Sequence, residues 1–263
     1  MKMYVVDTFT DQVFSGNPAA VCVVEHWPED SLLLRIAKEN ALSHTAFVCH
    51  QESDLYELRW FTPAMEIDLC GHATLAAAYV LNRFHCPEHK RLFFSTKSGT
   101  LTVERKDSLY VMDFPAYTLK PLEVTPEIEE ALGQRPREVW RARDLVCVFD
   151  RPEQVEQLTP DMNKLLQLKG ALMQVTAPGK NGYDCISRTF APKMGLPEDP
   201  VCGSGHCHII PYWASKWNKT KFTAYQASPR GGTLYCRLCG DRVLLGGKAV
   251  LYSVCELVME GLT

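Results

Sequence analysis

The chain has 263 residues, of which 46% are apolar and 22% charged, enough apolar side chains for two cores of ordinary domain size. A formal net charge of −3 gives no basis for a nucleic-acid or anionic-membrane partner, and no apolar run approaches the roughly 18 residues of a membrane span. Eleven cysteines is an odd number. No export signal is expected in the opening Met1–Asp7, and most cysteines lie in apolar strand-like runs such as Ala20-Val-Cys22-Val-Val24. A reduced, cytoplasmic chain is therefore expected rather than a disulfide-bonded secreted one.

In chain order, Tyr4–Asp7 and Ala19–Val24 read as two strands around a Gly16-Asn17-Pro18 turn. Ser31–Glu39 has helical spacing, with Ser31 as its expected cap. Thr45–Cys49 and Tyr56–Phe61 return to strand character. Ala73–Leu81 is apolar nearly all round, which predicts a buried helix. Strands follow at Leu92–Thr96, Thr100–Glu104 and Leu109–Phe114. Pro115, Pro121 and Pro126 then punctuate an expected linker. Beyond it come a strand at Leu145–Phe149, a helix at Thr159–Leu168, strands at Ala171–Thr176 and Tyr183–Phe190, and a second buried helix after Cys202. The last strands are Phe222–Ala227, Thr233–Leu238, Arg242–Leu245 and Ala249–Val254.

Two segments repeat. Arg59-Trp-Phe61-Thr-Pro63-Ala-Met65 precedes Asp68-Leu-Cys70-Gly71-His72, and Arg188-Thr-Phe190-Ala-Pro192-Lys-Met194 precedes Asp199-Pro-Val-Cys202-Gly203-Ser204-Gly205. Further on, Ser95-x-x-Ser98-Gly99-Thr100-Leu101 is matched by Ser228-x-x-Gly231-Gly232-Thr233-Leu234. Three matches in one order argue for an internal duplication and an α+β chain of two similar lobes. The lobes are expected at residues 1–116 and 117–263, with the last strand a candidate to return to the first.

Each repeat ends in Cys-Gly at the start of a helix-like run. The exposed N–H groups there favour a carboxylate and lower the pKa of a nearby thiol, which suits abstraction of a proton beside an electron-withdrawing group. The plainer alternative is that both cysteines are small buried hydrophobes. Cys236-x-x-Cys239 lacks a second ligand pair, and His206-Cys207-His208 falls at the start of the second helix, so no metal site is expected at either. No nucleotide motif is present.

Several further segments carry a family likeness: Asp7-Thr-Phe-Thr, Gly16-Asn17-Pro18-Ala-Ala-Val, Leu42-Ser-x-Thr45-Ala-Phe-Val, Asp68-Leu-Cys-Gly-His-Ala-Thr-Leu-Ala, Glu198-Asp-Pro-Val-x-Gly-Ser-x-His206-Cys and Tyr225-Gln-Ala-Ser-Pro-Arg-Gly-Gly. Together they resemble the PhzF-like (phenazine biosynthesis-like) family of the diaminopimelate epimerase-like superfamily, over nearly the whole chain. The resemblance implies two pseudo-symmetric lobes, each a curved, mostly antiparallel sheet around a central helix, with an active site at their junction. It also implies isomerisation of a small carboxylic acid without metal or organic cofactor, by a homodimer. By position His72, Asp199 and Ser204 match active-site residues of the family, and Gly16, Asn17, Pro18, Gly71, Gly203 and Gly205 match its substrate-binding backbone.

Two departures stand out. The family usually carries a general acid/base Glu where this chain has His44, and a histidine can do that work with an unperturbed pKa of about 6.5 against about 4.3. Cys202 stands where relatives commonly have Thr. With Cys70 it would form the pair of a two-thiol racemase or epimerase, although His72 replaces the Asn that follows the first Cys-Gly in those enzymes. The expected function is a PhzF-like isomerase with His44 as acid/base and His72, Asp199 and Ser204 assisting. The alternatives are a racemase using Cys70 and Cys202, or a catalytically silent small-molecule binding protein.

Overall fold

Val- and Ala-rich runs build the first strands in the computed structural model, which describes residues 1–260. The chain divides into two units, Met1–Asp113 with the segment from Gly246 onward, and Phe114–Leu245.

In the first unit β1 (Lys2–Thr8) pairs antiparallel with β2 (Asn17–Val24). α1 (Asp30–Asn40) crosses to β3 (Thr45–Glu52), parallel to β2, and β3 turns into antiparallel β4 (Leu55–Phe61). The short β5 (Glu66–Ile67) folds back on β4, and α2 (Gly71–Phe84) follows. β6 (Arg91–Thr96) then lies parallel to β4, with β7 (Gly99–Lys106) and β8 (Leu109–Pro115) added antiparallel. One face of this sheet is covered by Leu33, Ile36 and Ala37 of α1, packed on Ala20, Cys22, Phe47 and Phe61. α2 packs against β1, β2 and β3, and Ala73 and Leu75–Ala78 are all fully buried. That explains its lack of a polar stripe. The cap of α1 is Glu29, not Ser31, and Ser31 lies inside the first turn.

The second unit repeats this order strand for strand. β9 (Lys120–Leu122) pairs with β10 (Glu138–Arg141), which pairs antiparallel with β11 (Leu145–Val148). Between β9 and β10 lies α3 (Pro126–Leu132). After α4 (Pro152–Glu156) and α5 (Met162–Gln167), β12 (Met173–Pro178) runs parallel to β11 and β13 (Cys185–Ala191) antiparallel to β12. β14 (Leu196–Asp199) folds back on β13 as β5 does on β4, and α6 (Gly203–Trp217) takes the place of α2. β15 (Lys221–Gln226) lies parallel to β13, and β16 (Gly232–Cys239) is antiparallel to β15. β17 (Arg242–Gly247) leads to β18 (Ala249–Glu256), which pairs with β1 as β9 pairs with β10. The expected linker is thus structured. Pro126 opens α3, where its missing N–H costs nothing, and Pro121 sits in a short edge strand that tolerates it.

The repeated arginine is a clasp. Arg59 holds Glu66 through two bonds of 2.8 and 2.9 Å, and Arg188 holds Glu198 through two bonds of the same lengths. Each guanidinium lies over the repeated phenylalanine, Phe61 or Phe190. The pair fastens the fold-back strand that delivers the chain to each Cys-Gly. Ser98 and Ser228 brace the same loops, their hydroxyls donating to Asp68 O and Pro200 O.

Candidate active site

In the first unit, Cys70 caps α2 and places Gly71 and His72 in its first turn. His44 lies just before β3, its carbonyl accepting the N–H of Ala20 at 3.2 Å. The His44 and His72 rings meet edge to face, with centroids 4.8 Å apart. Cys70 Sγ stands 3.6 Å from His72 Nδ1. His44 Nδ1 is buried and has no hydrogen-bond partner among the described residues. Burial draws the His44 pKa down to about 4, and burial followed by the neighbouring His44 lowers that of His72 well below the usual range. Both rings are therefore neutral at physiological pH, and each offers a lone pair as well as an N–H.

The ligand atoms of His44, Cys70 and His72 lie within 4.8 Å of one another. Donors around a tetrahedral zinc, each about 2.0–2.3 Å from the ion, stand only about 3.4–3.8 Å apart. The trio would have to contract to hold one.

This burial has a consequence for stability. His44 and His206 both have a folded pKa of about 4, against an ordinary value of 6.5. Between those values the unfolded chain takes up protons that the folded chain refuses. Stability is whole above about pH 6.5 and falls as the pH drops towards 4, by up to about 3 kcal/mol per histidine. Urea melts from pH 7.5 to 4.5 are expected to show a falling midpoint, and His44→Gln a shallower fall; equal slopes would contradict the assignment.

In the second unit, Cys202 caps α6. Its Sγ accepts the Gly205 N–H at 3.3 Å and lies 3.4 Å from Ser204 Oγ. Gln226 ties the approach together, accepting from Cys202 N–H at 2.9 Å and donating to Asp199 O at 2.6 Å. Asp199 ends β14, and its Oδ1 accepts the Val201 N–H at 3.2 Å. Burial, and then the nearby Asp199, push the Cys202 thiol far above its usual range. His206 donates from Nδ1 to Cys202 O at 2.8 Å, with Ser187 Oγ 3.3 Å from Nε2, so it acts as a support for the helix start.

A family model described as PhzC-PhzF, phenazine biosynthesis-like protein, matches residues 6–254. The chain belongs to the PhzC-PhzF family. An uncharacterized isomerase of Pseudomonas aeruginosa is 46% identical over 254 residues, spanning 96% of this chain and 97% of its own. A PhzF-family phenazine biosynthesis protein of Enterococcus faecalis has a crystal structure similar at TM-score 0.95 and 46% identity, over 98% of this chain and 99% of that one. A probable proline racemase of Agrobacterium radiobacter shares the fold alone, at 10% identity and TM-score 0.66, over 99% of this chain and 94% of that one. Near full-length PhzC-PhzF relatives carry the name isomerase, and this chain is an isomerase.

Within the PhzC-PhzF framework, the residues expected to matter fall into two groups, one per unit. His44, Cys70, Gly71 and His72 come together around the start of α2, and Asp199, Cys202, Gly203, Ser204 and Gly205 around the start of α6. Gly16 does lie in the turn, at φ +66°, where a Cβ would stand 2.1 Å from Thr8 O. Asn17 and Pro18 differ from the expected turn: both are already in β2, paired with Thr8 and Asp7. Sequence reasoning missed Arg143, Asp144 and Gln226: the first two bond to each other, and their other partners, like those of Gln226, lie far along the chain. Only the Gln in Tyr225-Gln-Ala-Ser-Pro fell inside a quoted motif.

Proposed function

We propose that the chain is a cofactor-independent isomerase that moves a proton within a small carboxylic acid, with His44 as acid and base and His72, Asp199 and Ser204 assisting. The observation that carries this reading is the neutral, half-buried imidazole of His44, whose buried Nδ1 has no partner among the described residues. A neutral imidazole takes the proton from one carbon, becomes imidazolium, and returns the proton to another, so no second base is needed. A bound carboxylate favours the imidazolium, which raises the His44 pKa towards neutrality during turnover. The glycines that open both helices leave room for an anion to approach backbone N–H groups. Eleven unpaired cysteines favour a reducing, cytoplasmic setting, and the family likeness favours a homodimer. No helix of the described residues is long and apolar enough to cross a membrane.

The two-thiol reading draws less support. A racemase base must be a thiolate, and the burial of Cys202 works against one. The test is solvent-deuterium labelling followed by NMR, with a panel of amino acids, hydroxyprolines and cyclic unsaturated carboxylates. Label in a rearranged unsaturated acid, retained in Cys70→Ser and Cys202→Ser, is expected. Label at a stereocentre that disappears with either cysteine would replace this reading with the racemase. No label with any compound would leave a binding protein.

A further inference from the structure

Arg143 sits in the turn between β10 and β11, the topological counterpart of the β1–β2 connection that carries Gly16. Its side chain is 37% exposed, yet it is held on a partner with no exposure at all. Nε and Nη2 each donate to Asp144 at 2.8 Å. Asp144 Oδ2 also accepts from Gln174 Nε2 at 3.0 Å, and Gln174 Oε1 accepts from Thr189 Oγ1 at 2.6 Å. Gly205 packs directly on Gln174: a Cβ there would stand 2.3 Å from Oε1. The Asp144 N–H donates to His208 Nε2 at 3.3 Å, and His208 Nδ1–H donates to Ser204 O at 3.0 Å.

A proline contributes to the same scaffold. Pro211 has no N–H for the carbonyl of Cys207 four residues back, and Tyr117 N–H takes that carbonyl at 3.0 Å. Tyr117 then stacks on His208 at 3.9 Å and lies under the Arg143 guanidinium at 5.5 Å.

The guanidinium is thereby aimed. Nη2 donates to Ser204 Oγ at 2.9 Å, whereas Nη1 makes no hydrogen bond among the described residues. Burying a carboxylate is costly, and an arginine needed only for surface charge would not require one. We propose that Arg143 is the specificity-determining cation of the second unit, pairing through Nη1, beside Ser204, with the carboxylate of the substrate, while Asp144 is the positioning residue that fixes it. This rests on the isomerase reading for the identity of the ligand as a substrate.

The test compares cyclohex-1-ene-1-carboxylate with its primary amide, which has nearly the same shape without the charge. Affinity for each is read by ligand-observed NMR titration, and solvent deuterium uptake is read in parallel. Wild type is expected to favour the acid by about tenfold or more. Arg143→Lys should weaken that preference. The paired change Arg143→Gln with Asp144→Asn, which leaves no unpaired buried charge, should abolish it while near-UV circular dichroism stays unchanged. A preference that survives in the paired variant, or a wild type that does not favour the acid, overturns the assignment. An acid preference that depends on Arg143 but comes without deuterium uptake supports Arg143 as the anion anchor and counts against the isomerase reading alone. Uptake that persists with its acid preference in the paired variant counts against Arg143 alone.

Discussion

His44→Ala is expected to lower kcat/KM by about 10²–10⁴-fold, the usual contribution of a positioned acid/base, with little change in stability at pH 7.5. The ring is neutral there in both folded and unfolded states, so its loss removes chemistry rather than a charge. The pH profile makes the prediction sharper. For free enzyme the base form of His44 is populated above about 4, so the acid limb of kcat/KM should bend near that value and not near 6.5. The limb of kcat, which reports the complex, should bend at higher pH because the bound anion favours imidazolium. A common inflection near 6.5 in both would mean a solvated histidine and a different site. His44→Glu tests the same position from the other side: it puts there the carboxylate that the sequence resemblance leads one to expect, and should retain part of the activity that alanine loses.

Arg188→Met should instead act on stability. Its side chain is 11% exposed and that of Glu198 14%. Beyond the two-bond clasp, Nη1 donates to the carbonyls of Val155, Glu156 and Leu158, the last at 2.7 Å. Removing the arginine strands a largely buried carboxylate and three acceptors, at a cost of about 3–5 kcal/mol. For a chain of this size that corresponds to a fall of roughly 5–9 °C in Tm. Adding Glu198→Gln removes the stranded charge and should recover part of the loss. A fall below 2 °C for Arg188→Met would show that the repeated arginine is not a structural clasp.

The duplication was legible because the repeated segment carries its own mechanism. Arg59 and Arg188, the phenylalanines two residues on and the prolines after them define a strand that turns back on itself. The glutamates they clasp were not legible, since the second repeat carries an insertion that moves Glu198 three positions relative to Glu66. β9 and α3 look like linker in the sequence because their prolines resemble interruptions. Only pairing with β10 shows that one occupies an edge and the other a helix start. The starts of both central helices were recoverable from Cys-Gly followed by small apolar residues. Arg143 left no local signal. It belongs to no repeat, and its hydrogen bonds beyond Asp144 reach Ser204, 61 residues away. Polar networks of this kind are assembled by tertiary contact, so periodicity and motif spacing do not report them.

The most direct measurement is solvent-deuterium incorporation into a cyclic unsaturated carboxylate by wild type and His44→Ala, followed side by side by NMR at pH 7.5. Label in a rearranged acid with wild type, falling at least a hundredfold with His44→Ala, is the predicted result for an acid/base of ordinary strength. Equal labelling by the two proteins would contradict the account, because the proton would then travel by a route that does not pass through His44.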